Sequence, residues 1–298
     1  MSPIVIAILI LMAAALGWGQ RALDRRRHES EPGELPPADA PQAGTNPAPA
    51  EAMPPQPPAG FRFRDGIACL AFFLLAQFLT FLVMAFVAVG RAGVRPTKAA
   101  SMAVMVRLVP VTLVLAEAFA VLALVVILRR LSRRISWEVL KAELGLSWGT
   151  LRANGLAVAG GLTLGALSLA AILFEGKHAT FHPGFLAQIV AGSTAGRLAW
   201  AVVAGLMAGP AEEVLFRGAL LTAFRKVARV SIAGLASGFA FWLLHVPNFA
   251  GSRVGAASVA LFAVFVTILR LRTGSLGPPV AAHVANNLLL AVLAAGAA

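Results

Sequence analysis

The sequence predicts an all-α, polytopic membrane protein with about eight transmembrane helices and with its polar residues concentrated in the C-terminal half. Of its 298 residues, 59% are hydrophobic and only 13% are charged, and the mean hydropathy is +0.82. Soluble domains carry about 25% charged residues, so this composition indicates a chain buried in lipid. From residue 66 onward, apolar runs follow one another, and each is near the roughly 20 residues that a spanning helix needs. These runs cover residues 66–90, 108–128, 152–174, 196–224, 231–247, 254–270 and 276–296.

The N-terminal segment, residues 1–28, is predicted to be a further membrane anchor with a basic flank. An apolar run at 2–18 is followed by an arginine-rich stretch at 21–27. A cleaved signal peptide normally carries its basic residues before the apolar core, so an uncleaved anchor with its N-terminus outside is favoured. Cleavage after the small residues 13–15 is the alternative.

Residues 29–61 are predicted to be a disordered linker that leads into a helical membrane domain, 62–298. The stretch 29–60 holds 10 of the 18 prolines and five acidic residues, but no basic residue. Such a composition cannot bury enough apolar surface to become ordered. Docking of a partner protein on this proline-rich segment is the alternative interpretation.

The basic residues predict the orientation of the chain in the membrane. The net charge of +12 lies in short segments between apolar runs, which indicates topology signals and contact with anionic lipids rather than with nucleic acid. Basic clusters at 21–27, 129–134, 225–229 and 270–272 fall on one side if the N-terminus is outside, and that side is expected to be cytoplasmic. The predicted loop 91–107 is also basic and argues against this orientation.

Three local patterns bear on how the helices pack. Residues 135–146 are predicted to form a short amphipathic helix at the membrane interface, with Ser136 as N-cap, or else a plain connecting helix. Gly-x-x-x-Gly spacing at 161–165 and at 234–238 allows helix backbones to approach closely. The single cysteine, Cys69, excludes a disulfide within one chain and a cysteine metal site, and is expected to be a small buried hydrophobe.

Two carboxylates and an arginine interrupt the apolar run 196–224. An ionised side chain near mid-bilayer costs a few kcal/mol, so Glu212, Glu213 and Arg217 are expected to face a cavity lined by protein. On a helix, Glu213 and Arg217 are four residues apart and share a face, so Arg217 can neutralise Glu213. Glu212 is turned away by about 100° and remains available for chemistry.

Two histidines lie within late apolar runs, each with a partner at helical spacing. Phe241 and His245 are four residues apart and share a face of one helix. His283 and Asn287 share a face of another helix in the same way, and Asn286 lies only slightly off that face as a rival to Asn287.

Depth in the bilayer is an independent test of whether these residues can act together. At 1.5 Å per residue, Glu212 and His245 lie about 21 Å and 22 Å from the cytoplasmic ends of their helices, and His283 lies about 13 Å from its own. Helix tilt and the Gly-Pro-Pro start at 277–279 are expected to absorb the difference. The three helices are therefore predicted to bring their polar residues to one zone.

These motifs together resemble those of the CPBP family, which includes the CAAX prenyl endopeptidases and bacterial relatives linked to bacteriocin processing or immunity. The motifs are Glu-Glu-x-x-x-Arg at 212–217, Phe-x-x-x-His at 241–245 and His-x-x-x-Asn at 283–287, in this order within consecutive apolar runs. The resemblance covers about residues 150–298, which becomes the expected catalytic core. It implies an intramembrane endopeptidase with an all-helical core of roughly eight spans.

The resemblance also implies a role for each matched residue. Glu212 is the catalytic carboxylate, His245 is its partner in activating water, and His283 and Asn287 stabilise the oxyanion. Peptide hydrolysis needs a base for the attacking water and donors aimed at the developing oxyanion, which these residue types can supply. Three further residues are assigned supporting roles: Glu213, Arg217 and Phe241.

A zinc site is the alternative interpretation of the same side chains, because one carboxylate and two histidines are also a plausible set of zinc ligands. The family has been described both as metalloproteases and as glutamate proteases. The sequence contains no His-Glu-x-x-His motif, so a metal-free mechanism without a cofactor is favoured. If zinc is bound, Glu212, His245 and His283 are the expected ligands.

Three other polar residues within or beside apolar runs have open roles. Glu117 has no basic partner near it in the sequence and is either a satisfied interhelical group or an acid that lines a cavity. His178 and His182 would share a helical face, but Pro183 follows, so an external loop is favoured over a metal site.

Two other classes of function are compatible with intramembrane acids and histidines. A proton-coupled transporter would show paired broken helices in corresponding halves, whereas the polar groups here lie mainly in the C-terminal half. A membrane scaffold would not need Glu, His and Asn together. We therefore expect a peptide hydrolase of the bacterial cytoplasmic membrane, which acts on a membrane-anchored protein or peptide and has no nucleic-acid partner.

Overall fold

The computed structural model describes residues 60–92, 98–178, 201–246 and 252–296. The predicted anchor 1–28 and almost all of the predicted linker 29–61 lie outside these residues. His182 also lies outside them, and the side chain of His178 is not among the described side chains.

The described chain is almost entirely helical and contains no strand. We number the helices in chain order, and α5 is a continuous helical segment built from four pieces. They are α1 (Phe63–Ala92), α2 (Lys98–Leu131), α3 (Trp137–Leu144), α4 (Leu151–His178), α5 (Ala201–Ala208, Gly209–Glu213, Val214–Leu220 and Leu221–Arg225), α6 (Val230–His245), α7 (Arg253–Thr273) and α8 (Gly277–Gly296).

This architecture confirms the predicted all-α, polytopic fold class, since each of the predicted apolar runs overlaps a helix. Within the described residues, four helices are long and apolar enough to cross a membrane, and α6 is a shorter apolar helix. The four spans are Phe63–Gly90, Val111–Leu131, Leu151–Ala171 and Arg253–Thr273.

The predicted loop 91–107 is wrong over most of its length, because α1 extends to Ala92 and α2 begins at Lys98. The gap between the apolar runs 66–90 and 108–128 predicts a loop at 91–107. Residues 98–107 contain neither glycine nor proline, so nothing in this stretch opposes helix formation, and a basic residue can end a span without ending its helix.

The predicted short helix after α2 is confirmed as α3. Its N-cap is Ser136, whose side chain accepts a hydrogen bond from the backbone N–H of Val139. Gly145 ends the helix with a φ of 70°, a left-handed conformation that glycine adopts without steric cost. Leu140 and Leu144 are fully buried, so the apolar face of α3 packs on the rest of the protein.

Helix α5 lies at the centre of the bundle, where it contacts α1, α2, α3, α6 and α8. Alongside it, α4 and α8 pack closely because Gly161 has no side chain. A Cβ atom at this position would lie 2.3 Å from the carbonyl oxygen of Ala282. The close approach predicted from the 161–165 spacing is therefore confirmed.

The basic ends of several helices meet at one end of the bundle. Glu143 of α3 accepts a hydrogen bond from the backbone N–H of Phe61 at 2.6 Å and pairs with Lys226 at 2.7 Å. Arg134 pairs with Asp65 at the same end. The basic segments that follow α2 and α5 thus lie on one side of the bundle, as the sequence predicted.

The turn between α7 and α8 is recessed into the bundle. Arg270 Nε donates to the carbonyl oxygen of Arg217 at 3.2 Å, so the end of α7 lies beside the middle of α5. The backbone N–H groups of Leu276 and Gly277 donate to the carbonyls of Gly145 and Ser147, at 2.8 and 2.9 Å. The segment after α3 therefore contacts the turn. Measured along the axis of α5, α8 starts roughly 10 Å before the end of α5, at the level of its middle.

Candidate active site

The middle of α5 departs from regular α-helical geometry where its polar residues lie. The pieces Ala201–Ala208 and Val214–Leu220 have wider, π-type hydrogen bonding, and they flank the short α-helical piece Gly209–Glu213. Pro210 has no N–H and its ring opposes a regular bond to the preceding turn, which favours such a distortion. Widened turns of this kind are frequent at functional sites.

Glu213, Arg217 and His283 form a buried charged group at the centre of the bundle. Arg217 Nη1 lies 3.2 Å from Glu213 Oε1, and both side chains have no exposed surface. This contact confirms the predicted local neutralisation of Glu213. Arg217 also donates to the carbonyl oxygen of Ala263 at 3.2 Å, and its guanidinium lies 4.4 Å from the ring centre of Phe241.

His283 contacts both glutamates of α5. Its Nδ1 lies 2.8 Å from Glu213 Oε1, and its Nε2 lies 3.7 Å from Glu212 Oε2. The i, i+4 spacing predicts the contact of Glu213 with Arg217 but not its contact with His283. No spacing rule could reveal it, because the two residues are 70 positions apart.

His245 approaches Glu212 from α6. The distance from His245 Nε2 to Glu212 Oε2 is 3.8 Å, so one carboxylate oxygen has an imidazole nitrogen on each of two helices nearby. Both distances exceed a direct hydrogen bond, and the Glu212 side chain keeps 16% of its surface exposed. The structure thus brings together Glu212, His245 and His283, as the sequence predicted.

The hydrogen bonds of each imidazole fix which nitrogen carries a proton. His245 Nδ1 lies 2.8 Å from the carbonyl oxygen of Phe241, which can only accept, so Nδ1 is the donor. His283 Nδ1 likewise donates to the Glu213 carboxylate. In both rings, the nitrogen that faces Glu212 is therefore Nε2.

Aromatic rings pack around the histidines and hold them in place. The ring of Phe241 lies 4.3 Å from that of His245 and 5.8 Å from that of His283, measured between centres. Phe262 lies edge-on to His283 at 4.9 Å. The predicted supporting residue Phe241 thus contacts both histidines and Arg217.

The two asparagines of α8 lie one helical turn beyond His283. Asn286 Nδ2 donates to Asn287 Oδ1 at 3.1 Å. The side-chain oxygen of Asn286 is close to Gly165, since a Cβ atom added there would lie 3.1 Å from it. The Asn286 side-chain oxygen is therefore directed toward α4, and the Asn286 amide is bonded to Asn287.

The donor atoms are of the kinds that bind zinc. The distances between them, however, are longer than those between the ligand atoms of a bound zinc ion. Each histidine is oriented through Nδ1, as metal-binding histidines usually are. Tetrahedral zinc holds its ligand atoms about 3.3 Å apart, below the 3.7 and 3.8 Å between Glu212 and the two imidazoles. Among the described residues, no group of three or more His, Cys, Asp or Glu side chains is placed to hold a metal ion.

Comparison with known proteins gives an independent result. Residues 194–289 match a family model described as type II CAAX prenyl endopeptidase, Rce1-like. Searches for similar curated proteins and for similar solved structures found no match. The matched segment includes all three motifs on α5, α6 and α8, and members of this family are peptide hydrolases. The C-terminal part of this multi-pass membrane protein is therefore similar to Rce1-like, CAAX-type intramembrane proteases, which supports its membership of the CPBP family.

Proposed function

We propose that the protein hydrolyses a peptide bond in a membrane-associated protein or peptide, with Glu212 and His245 activating water and His283 and Asn287 stabilising the oxyanion. The observation that carries this proposal is the approach of two imidazole Nε2 atoms to one oxygen of Glu212, at 3.7 and 3.8 Å. A gap of this size suits a small reactant that contacts all three groups.

The attacking water would be held between Glu212 and His245. Because Nδ1 of His245 is a donor to Phe241, neutral His245 presents a lone pair on Nε2. One hydrogen of the water then points to that lone pair and the other to the Glu212 carboxylate. Glu212 takes its proton as the water oxygen bonds to the carbonyl carbon, and later delivers that proton to the leaving nitrogen.

The electron pair of the carbonyl bond moves onto the carbonyl oxygen, which needs donors. Nδ1 of His283 already donates to Glu213, so His283 must carry a second proton on Nε2 to stabilise the oxyanion. The Glu213 carboxylate would stabilise this imidazolium. Asn287 would supply the other donor through its amide, and losing one such donor typically costs about 10²–10³ in kcat.

A zinc ion at this site would change the mechanism, because Glu212, His245 and His283 would then serve as its ligands. An ion held by Glu212, His245 and His283 would act as a Lewis acid on water or on the carbonyl. Treatment of active membranes with phenanthroline distinguishes the two mechanisms. We expect activity to survive, whereas loss of activity with recovery on adding zinc would establish the metal-dependent one.

The substrate we propose is a membrane-anchored protein or peptide, in keeping with the family whose model matches residues 194–289. The test compares the peptide termini of membrane and secreted proteins in cells that carry the native chain, Glu212→Gln or the matched control Glu138→Gln. Glu138 is 80% exposed and lies on α3, away from the site. We expect termini that are present with the native chain and with the control but absent with Glu212→Gln.

Identical termini in all three strains, with folded and equally abundant protein, would contradict the proposal. Termini that depend on the native chain but persist with Glu212→Gln would show that the protein cleaves peptide bonds without using Glu212 as the base.

A further inference from the structure

The π-type piece Val214–Leu220, the widened turn of α5, is bound by side chains of two neighbouring helices. Ser237 Oγ of α6 donates to the carbonyl oxygen of Phe216 at 2.7 Å. Arg270 Nε of α7 donates to the next carbonyl along the chain, that of Arg217, at 3.2 Å. Two consecutive peptide groups of the widened turn are therefore held from outside α5.

The bond from Ser237 is an unusual one for a hydroxyl on a helix. Serine and threonine in helices commonly bond the carbonyl four residues earlier, as Thr80 and Thr112 do at 2.9 Å. Ser237 instead donates to α5, and it has no exposed surface. Because a buried hydroxyl is costly unless it is hydrogen-bonded, the place of the Phe216 carbonyl matters to α6 as well as to α5.

Arg270 is held by backbone carbonyls rather than by a carboxylate. Only 5% of its surface is exposed, and its Nη2 lies 3.4 Å from the carbonyl oxygen of Glu143. Within the part of the chain that the structure describes, Arg270 forms no ion pair. A buried guanidinium needs its acceptors, so the position of the Arg217 carbonyl is tied to that of α7.

The widened turn determines the direction in which Glu212 and Glu213 face. A π-type turn holds one residue more than an α-helical turn, and one residue corresponds to about 100° of rotation in an α-helix. The piece that follows, Leu221–Arg225, is packed against α1 and α6. If the turn became regular while that piece stayed in place, both glutamates would rotate, and Glu213 Oε1 would lose its 2.8 Å contact with His283 Nδ1.

We propose that Ser237 and Arg270 are positioning residues of the candidate active site, which hold the widened turn of α5 in place. They thereby direct Glu212 and Glu213 toward the two histidines. The proposal rests on the proposed function, since the direction of Glu212 affects catalysis only if this residue activates water.

The first test follows the contact between Glu213 and His283 and needs no substrate. Nitrogen NMR spectra of protein with isotope-labelled imidazole rings are compared at one pH for the native chain, Ser237→Ala and the control Thr80→Val. The chain has only five histidines, so the His283 signals are assigned by their loss in His283→Gln. We expect the Nδ1 signal of His283 to shift in Ser237→Ala and to keep its native position in the control.

Thr80→Val is a matched control because it also removes one buried hydroxyl. Thr80 is 8% exposed, and its hydroxyl donates to the Ala76 carbonyl within α1. Ser237→Ala and Thr80→Val should therefore lower the unfolding midpoint by similar amounts, about 2–4 °C. A difference between them in the spectra or in activity then reports on the widened turn and not on stability.

The second test measures kcat and KM on a prenylated CAAX-type peptide with a fluorophore and a quencher on either side of the cleaved bond. We expect Ser237→Ala to lower kcat by about 10–10²-fold, the effect of misplacing a catalytic group by about 1 Å. KM should change little, because the lost interaction acts in the transition state. Arg270→Lys keeps the charge but lacks the Nε–H group, so it should lower kcat in the same way, whereas Thr80→Val should keep the native kcat.

Three results would overturn the proposal. The first is an unshifted His283 signal in folded Ser237→Ala, whether or not the protein is a protease. The second is a shifted signal with an unchanged kcat, and the third is an equal loss of kcat in Ser237→Ala and Thr80→Val. If the native chain cleaves no peptide while the signal shifts as expected, the proposed function fails, and the binding of the turn by Ser237 stands.

Discussion

One oxygen atom of Glu213 connects two other residues of the candidate active site. Its Oε1 contacts both Arg217 Nη1 and His283 Nδ1, so a single carboxylate neutralises the arginine and orients the histidine. A buried charge that loses its partner is strongly destabilising, whereas a buried pair can often be replaced by apolar residues of similar size. Stability and activity should therefore respond differently to changes at these positions.

We predict that Arg217→Met destabilises the protein by about 3–5 kcal/mol, because the buried Glu213 charge loses its arginine partner. The double variant Glu213→Leu with Arg217→Met should recover most of that stability, since both charges of this buried pair are removed. It should nevertheless be inactive, because His283 then lacks the acceptor for Nδ1. Thermal unfolding in detergent and cleavage of the substrate identified from its termini measure the two effects.

Lys141→Met provides the matched control, because the Lys141–Glu138 pair is largely exposed. Loss of such a pair changes stability by at most about 1 kcal/mol. Activity in the double variant, or an Arg217→Met protein as stable as the control, would contradict the assigned role of Glu213.

At the scale of the helices, contact between α4 and α8 determines where His283 lies. The two glycines of α4 at 155 and 161 offer a direct comparison, since a Cβ atom at Gly155 would meet nothing within 4 Å. At Gly161, the same atom would collide with the Ala282 backbone, next to His283.

We predict that Gly161→Ala costs about 1–3 kcal/mol and lowers kcat, because α8 must move away from α4 and carries His283 with it. Gly155→Ala should be neutral or stabilising by up to about 1 kcal/mol, since alanine is the better helix former. Unfolding midpoints and kcat of the two variants test this. Equal kcat values for the two variants would show that α8 is not positioned by this contact.

The sequence predicted the helices and the residues that meet in the site more successfully than their contacts. Apolar length locates each span, and the i, i+4 rule predicts that Glu213 and Arg217 pair. The same rule says nothing about contacts between helices, which is why the contact between Glu213 and His283 was missed. The role of Glu117 stayed open for the same reason, because Gln77, whose amide donates to Glu117, lies on another helix.

The predicted depths of Glu212 and His283 in the bilayer also show that local sequence does not reveal contacts between helices. His283 is expected to lie about 8 Å nearer the cytoplasmic side than Glu212, with helix tilt and the Gly-Pro-Pro start at 277–279 absorbing the difference. The structure places the start of α8 beside the middle of α5 instead, because Arg270 binds the Arg217 carbonyl and the turn rests on residues 145–147. Tertiary hydrogen bonds of this kind leave no pattern in the local sequence.

At the scale of the whole molecule, the common position of the basic segments gives a prediction of topology. Arg133 and Arg229 are exposed and lie near the end where α2 and α5 terminate, while Arg253 begins α7 at the opposite end. Positively charged segments are retained on the cytoplasmic side. We propose that this end faces the cytoplasm and contacts anionic lipids.

In a Cys69→Ala background, we predict that cysteines at positions 133 and 229 react with a membrane-impermeant maleimide only in inverted vesicles. A cysteine at position 253 should react only in right-side-out vesicles. The reverse pattern would mean that the basic residues of 91–107 decide the orientation.

The recessed turn between α7 and α8 also determines how the protein responds to its lipid. Helices that can slide adjust to bilayer thickness by tilting. Here the turn is hydrogen-bonded to Gly145, Ser147 and Arg217, so the protein itself sets the vertical register of α8 against α5. The alignment of His283 with Glu212 is therefore independent of acyl-chain length, and catalysis should tolerate thicker and thinner membranes alike.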